Sequence, residues 1–339
     1  MRLTYPKILD SIASFIRWSE WYDSKIPPIV GWLYYAIYKN GDFVQKWPFI
    51  KVVFFAVLFM AYGYVLNDYS DIEIDKKAGK KKIIANLPRN RAKIIITAIF
   101  LLGLFSLYSY YSQLIVVISV LGAYILATSY SLLPFRLKEK GAWGVVVASA
   151  AQRISPIVVG MSVLGLYDLV SVLWLLFNFG IGIRYILIHQ YKDIENDIRT
   201  GVDTFVIQHS IATLHRLILV SLVIEFFLAM WIGMEIKIPL FALIGMMICV
   251  VLRTLTAVFL ERNDVLHSFT YVPLTEFIII FFPSTLLFFL IHHNISSILF
   301  AIIEVIWKYS FIKRYFLPIC IFVYACSKNI LSSSKKLFL

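Results

Sequence analysis

The amino-acid sequence predicts an all-α, polytopic transmembrane bundle of about nine helices, and three observations carry that prediction. Of the 339 residues 60% are hydrophobic and only 15% charged, with a mean hydropathy of +0.81, a composition outside the range of soluble domains. Apolar runs of about 20 residues recur along the chain, the length at which a helix crosses roughly 30 Å of hydrocarbon. The runs also lack the alternation of apolar and polar residues that marks a membrane β-barrel.

Breaks between the runs place spans near residues 27–39, 48–68, 92–110, 113–132, 143–164, 168–191, 213–234, 238–260 and 272–292. The stretch 296–327 is interrupted by Glu304, Lys308, Lys313 and Arg314 and reads as one further span or a re-entrant hairpin. Residues 1–26 carry acidic groups with Trp18, Trp21 and Tyr22 but no signal-peptide core or cleavage site, so they are expected to lie on the membrane surface. The membrane domain is then 27–292, followed by an apolar and basic extension, 293–339.

The net charge of +12 does not mark a nucleic-acid binder, because the cations sit in short loops between apolar runs and form no continuous face. Lys76, Lys77, Lys80, Lys81, Lys82, Arg89, Arg91 and Lys93 follow the second span, and Arg136, Lys138 and Lys140 follow the fourth. Lys192, Arg199 and Arg216 follow the sixth, and Arg253 and Arg262 close the eighth, while the opposite loops offer little beyond Lys39, Lys46 and Lys237. The positive-inside rule therefore ends the even-numbered spans in the cytoplasm, and the expected location is a plasma membrane. Cys249, Cys320 and Cys326 are too dispersed or too apolar in context for a disulfide framework or a zinc site.

Two acidic segments lie on that cytoplasmic side. The second span closes on Asn67-Asp68-Tyr69-Ser70-Asp71-Ile72-Glu73-Ile74-Asp75, and at about 100° per residue Asp68, Asp71 and Asp75 fall within about 60° of one another, with Asn67 beside them. The sixth span closes on Asp193-Ile194-Glu195-Asn196-Asp197, whose i, i+4 carboxylates repel unless a cation lies between them. Oxygen ligands without His or Cys suit Mg²⁺, which bridges a few carboxylates to phosphate oxygens. Arg153 in the fifth span, Asn178, Arg184 and His189 in the sixth and Glu276 in the ninth are polar groups inside spans, costly there unless they face a cavity or a partner.

These motifs resemble the UbiA superfamily of intramembrane prenyltransferases. Asn67 to Asp75 fits its first Asp-rich motif, and Asp193 and Asp197 with Gly201 and Thr204 fit the second. Tyr130-Ser131-Leu132-Leu133-Pro134-Phe135-Arg136-Leu137-Lys138 is similar to its segment after the fourth helix. The resemblance implies nine helices around a central cavity, a lateral opening to lipid, Mg²⁺ dependence and an isoprenyl diphosphate donor. It also implies metal ligation by Asn67, Asp68, Asp71, Asp75, Asp193 and Asp197. Two departures stand out: no Arg-Pro pair follows the first motif, and Ile186 stands where the second often begins with Asp.

Prenyl transfer requires a diphosphate leaving group to accumulate charge. Arg136 and Lys138, placed at the surface by the Pro134 break, are expected to stabilise it, with Asn67, Tyr130, Lys192 and Arg199 as further contacts. Arg153 and Arg184 are expected deeper, on the acceptor or in core architecture, and Asn178 and His189 are expected either to contact acceptor or diphosphate or to form buried structural pairs. The expected activity is Mg²⁺-dependent transfer from a polyprenyl diphosphate to a lipophilic or aromatic acceptor, an alkyl transfer other than methyl. A terpene cyclase on the same scaffold, needing no acceptor, is the alternative. A cation-coupled transporter is disfavoured, since transporters set their acids near the midplane on broken helices.

Overall fold

The computed structural model describes residues 5–40, 46–80 and 82–238, with Ile244 and Ile248 isolated beyond them. The chain divides into two units, Met1–Ile236 and Lys237–Leu339, and the architecture below is that of the first. The described residues are helical and include no strand beyond one isolated bridge, Gly141 to Thr204. The expected spans at 238–260, 272–292 and 296–327, with Glu276 and the three cysteines, lie outside the described residues.

Two short helices, α1 (Tyr5–Phe15) and α2 (Trp18–Trp21), precede α3 (Ile26–Asn40). The long α4 (Lys46–Ser70) leads into the short α5 (Ile72–Lys77), and α6 (Arg89–Ser106) and α7 (Leu114–Ser131) follow. Then come α8 (Ala142–Ser149), a π-helical stretch over Ala150–Ile154 and α9 (Ser155–Leu164), which together form one continuous rod. The last three among the described residues are α10 (Leu169–Thr200), α11 (Phe205–Gln208) and α12 (Ile211–Glu235). Among the described residues five helices are long and apolar enough to cross a membrane: Trp47–Ser70, Leu114–Ser131, Ala142–Leu164, Leu169–Thr200 and Ile211–Glu235.

These five match the expected second, fourth, fifth, sixth and seventh spans, and the two remaining expectations differ for physical reasons. Helix α3 has 15 residues, about 22 Å of rise, less than the hydrocarbon thickness. Its residues from Ile26 to Ile37 are buried on every face, so it is packed as core. Helix α6 opens with Arg89, Arg91 and Lys93, three charges that cut its apolar length.

Helices α4 and α10 organise the packing. Helix α4 contacts α3, α6, α7 and α9, and α10 contacts α3, α8, α9 and α12. Val145, Leu187, Ile188, Val206, Leu214 and Ile218 form a buried cluster that clamps α10 between α8, α11 and α12. Trp32 and Trp174 are fully buried, and their indole N–H groups donate to Ser171 Oγ and the Pro28 carbonyl, each at 3.0 Å, fixing α3 to α10. Each of these organising helices carries one acidic segment at its end.

Candidate active site

The first acidic segment is built at a helix break. The helix does not run unbroken from Asp68 to Asp75 as its periodicity predicts: α4 stops at Ser70, Asp71 takes φ −101° and ψ 4°, and α5 restarts at Ile72. The cause lies across the bundle. Arg136 Nη1 donates to the Ser70 carbonyl oxygen at 3.2 Å, and a side chain inserted into the carbonyl ladder bends a helix. Asp68 thus lies in the last turn of α4, Asp71 at the break and Asp75 on α5.

The second acidic segment sits on a helix that outruns its apolar part. With 32 residues, α10 rises about 48 Å, so its last turns project beyond the roughly 30 Å of hydrocarbon. Gly201 at φ 72° ends it in the left-handed conformation that glycine adopts without strain. Asp193 and Asp197 ride on this extension.

Two ties bring the segments together, and a third joins the second segment to the loop after α7. Lys80 Nζ lies 3.5 Å from Asp193 Oδ1, and Arg199 Nη2 donates to the Ala78 carbonyl oxygen at 3.0 Å. The Gly141–Thr204 bridge joins the loop after α7 to the loop after α10, and Thr204 Oγ1 donates to Asp197 Oδ2 at 3.4 Å. Tyr130, at the end of α7, stands within electrostatic reach of both Asp71 and Asp197.

Cations from the other loops converge on the same carboxylates. Arg136 Nη2 donates to Asp71 Oδ1 at 2.8 Å, with its Nε on Glu139 Oε1 at 2.6 Å. Lys138 Nζ donates to Asn67 Oδ1 at 2.9 Å, to Ser70 Oγ at 3.2 Å and to Asp71. Burial pulls the Lys138 ammonium below its usual range while Asp71 opposes, and burial likewise raises the Asp75 carboxyl, with Lys82 opposing. A Cβ at Gly144 would stand 2.8 Å from the Lys138 carbonyl oxygen, so the loop bearing Arg136 and Lys138 can rest on α8 only over a glycine.

A second basic layer lies one turn inward. Lys25 donates to Tyr64 Oη and Gln152 Oε1 and sits over the Tyr64 ring. Arg153 donates to the Ser24 carbonyl oxygen and stacks 4.9 Å over Tyr185. Burial, reinforced by Arg153 and Arg17, drives the Lys25 ammonium well below the usual lysine range.

Other expected residues fall elsewhere. The Arg184 guanidinium is committed to Glu225 of α12, with Nε–Oε1 at 3.0 Å and Nη2–Oε2 at 2.7 Å, and both side chains are almost wholly buried. Asn178 is buried and donates to the Trp174 carbonyl oxygen of its own helix at 2.8 Å. His189 Nδ1 lies 3.3 Å from Asp193 Oδ2, so it belongs to the acidic end. Lys192 is exposed beside Asp193, and Arg199 also donates to Asn196 Oδ1 at 2.9 Å.

Sequence reasoning missed Arg17, Lys25, Glu225 and the site roles of Lys80 and Lys82. Lys82 Nζ lies 3.3 Å from Asp68 Oδ1, and Arg17 Nη1 donates to the same oxygen at 3.0 Å. Burial opposes the Arg17 charge, but Glu20 and Asp68 together outweigh it and raise its pKa. Glu225, a carboxylate inside an apolar run, was detectable by the rule that singled out Arg184.

Among the described residues no three His, Cys, Asp or Glu side chains gather closely enough to cage an ion by themselves. The donor chemistry nevertheless fits Mg²⁺. Asn67, Asp68 and Asp71 on one side and Asp193 and Asp197 on the other are hard oxygen donors, and the Asp68, Asp71 and Asp193 carboxylates are paired with Arg and Lys. Mg²⁺ takes one or two carboxylates and completes its shell with water and substrate phosphate.

The sequence model of the UbiA prenyltransferase family matches residues 26–272. The chain belongs to this family. It is 26% identical over 184 residues to digeranylgeranylglyceryl phosphate synthase of Sulfurisphaera tokodaii, a match covering 52% of this chain. It spans 64%, less than two thirds, of that relative's length. The fold is shared with a UbiA homologue from Archaeoglobus fulgidus bound to DMAPP and Mg²⁺, at TM-score 0.57 and 16% identity, covering 81% of this chain and 98% of that one. A solved structure concerned with digeranylgeranylglyceryl phosphate synthase in membranes superposes with TM-score 0.57 at 20% identity, covering 84% and 98%.

Proposed function

We propose that this UbiA-family chain transfers a prenyl group from a polyprenyl diphosphate to a lipophilic acceptor, releasing diphosphate with Mg²⁺ as cofactor. The observation that carries the reading is the meeting of two acidic helix ends, tied by Lys80–Asp193 and by the Gly141–Thr204 bridge and ringed by Arg136, Lys138 and Lys82. A highly charged ligand that brings its own divalent cations suits such a mixture, because each carboxylate can turn to a metal while each cation turns to phosphate oxygens.

Asn67, Asp68, Asp71, Asp75, Asp193 and Asp197 would hold Mg²⁺, which supplies Lewis-acid stabilisation of the leaving diphosphate. The allylic C–O bond breaks with both electrons passing to the diphosphate oxygen. Arg136 and Lys138 donate hydrogen bonds to the charge that builds there, with Tyr130 alongside. The prenyl carbocation is captured by an acceptor nucleophile, which then loses a proton, so atoms and charge balance. Lys25 and Arg153, one turn inward, border the region where acceptor and prenyl chain meet. Arg184, held by Glu225, serves architecture.

The likeness to digeranylgeranylglyceryl phosphate synthase supports a prenylated glyceryl phosphate as the first acceptor to test. The basic loops support a cytoplasmic position for the acidic ends, and nine spans are the count this reading adopts. Diphosphate release from geranyl or geranylgeranyl diphosphate, measured with and without Mg²⁺ and acceptor, tests the reading. Release requiring both, with the prenylated acceptor found by mass spectrometry, is expected. Release without acceptor, accompanied by a cyclic hydrocarbon or alcohol, would make the chain a cyclase.

A further inference from the structure

Glycines inside helices divide by what a side chain there would meet. At Gly103 a Cβ would collide with the Tyr124 hydroxyl, at Gly182 it would stand 2.8 Å from Ser149 Cβ, and at Gly160 3.0 Å from the Trp32 ring, so each of these glycines lets two elements close on one another. Gly63 of α4 is different, because a Cβ there would meet nothing within 4 Å. Gly122 of α7 is equally open, but Ile118 and Ile125, which share its face, are exposed, and that face turns outward. The face of Gly63 turns inward. Ala56, Phe59, Met60 and Leu66, its neighbours on α4 at helical spacing, are all buried. Asn67, one turn on, accepts hydrogen bonds from Lys138 at 2.9 Å and from Ser131 of α7 at 3.4 Å. Gly63 itself is only half-buried, so it borders a hollow on the inner side of α4.

A glycine inside a helix is less stable than an alanine would be, and no described neighbour requires one at 63. What the position provides is space. From Asn67 to Met60 the helix rises about 10 Å, with Gly63 between them, and Met60 is buried. Deeper still, α3, α4 and α9 close together where Trp32 and Val52 meet at Gly160. The hollow is thus shut on its inner side. A donor whose diphosphate lies among Asn67, Asp71 and Lys138 sends its apolar chain away from those charges, and on the α4 face that carries Asn67 the first position it reaches is Gly63. We propose that Gly63 is a specificity-determining residue: the space left by its missing side chain receives the first isoprene unit of the donor, and Met60 limits how far the chain runs straight inward. The proposal rests on the prenyl diphosphate reading above.

The test uses the full-length protein in detergent with Mg²⁺, and calorimetry compares inorganic diphosphate with dimethylallyl and geranyl S-thiolodiphosphate, two unreactive donor analogues, beside thermal melting. Gly63→Leu, which fills the hollow, should weaken both analogues on the order of tenfold or more and bind inorganic diphosphate as wild type does. Gly63→Ala should weaken the analogues less, and it should melt at or slightly above the wild-type temperature because alanine is the better helix former. Met60→Ala, which deepens the hollow, should shift preference from the dimethylallyl toward the geranyl analogue. Analogue affinities in Gly63→Leu equal to wild type overturn the proposal, and a raised acceptor KM beside them would give the hollow to the acceptor. Equal loss of inorganic diphosphate and analogues in both Gly63 variants, or melting of Gly63→Ala well below wild type, also overturns it and leaves the glycine a requirement of packing. An unchanged analogue preference in Met60→Ala removes Met60 as the limit. Wild-type protein that binds the geranyl analogue no more tightly than inorganic diphosphate overturns the prenyl diphosphate reading itself.

Discussion

Among the described residues, two groupings of carboxylate and cation are built in opposite ways. Between α10 and α12, Arg184 and Glu225 form a closed set: both carboxylate oxygens are taken by the guanidinium, and Ser221 adds a hydrogen bond to Oε1 at 2.8 Å. At the ends of α4 and α10 nothing is closed. Asp68, which is buried, shares one oxygen between Arg17 and Lys82, and Asp71, which is partly exposed, shares one between Arg136 and Lys138. A buried pair whose carboxylate is held on both oxygens leaves that carboxylate nothing for a ligand. A crowd of half-matched charges at an accessible helix end can exchange partners, and that is the mark of a site for a charged substrate.

The largest expected effect lies at the exchangeable end. Asp68→Ala, Asp71→Ala and Asp197→Ala should each lower Mg²⁺-dependent turnover by a factor on the order of 10³ or more. Elution and melting of the purified variants should match wild type. Near-normal turnover in all three would leave the acidic ends as mere membrane boundary charges.

The closed pair should respond in the other currency. Glu225→Gln strands a buried guanidinium and should cost about 3–5 kcal/mol of stability. The paired change Arg184→Met with Glu225→Leu should restore most of that loss, and the melting of single and double variants measures the difference. A double variant that folds like wild type but cannot turn over would move Arg184 into the chemistry.

Smaller effects grade the exchangeable end itself. Arg136→Gln and Lys138→Gln should each weaken use of the donor by about 1.5–3 kcal/mol, one charge-assisted hydrogen bond, whatever the acceptor. Arg136→Gln carries an added signature, because removing the group that takes the Ser70 carbonyl should let α4 run on toward α5, visible as slower hydrogen exchange around Asp71. Arg199→Gln removes only exposed contacts, to the Ala78 carbonyl and to Asn196 Oδ1, and should change donor kinetics by no more than about 1 kcal/mol.

What could be read in advance follows from what is local. Span positions came from apolar length, and the observed α7, α8–α9 and α12 start and end within about two residues of the expected breaks. Asp68, Asp71, Asp193 and Asp197 were legible because their spacing and neighbours lie within one segment. Helix α10 ran nine residues past its expected end at 191 because hydropathy stops at Tyr191 whereas the backbone has no breaker until Gly201. The break at Asp71 was hidden because its cause, Arg136, lies 66 residues from the Ser70 carbonyl that it takes. Arg17 was hidden for the same reason, 51 residues from Asp68, with its segment expected on the membrane surface.

In the proposed function the exchangeable end does the chemistry and the closed pair only holds α10 to α12. The most direct measurement is Mg²⁺-dependent diphosphate release from geranyl diphosphate, with acceptor present, at equal folded concentrations of two double variants. Asp68→Asn with Asp197→Asn should release none above background, and Arg184→Met with Glu225→Leu should release at a rate within a few fold of wild type. Release by the first pair with none from the second would contradict the account.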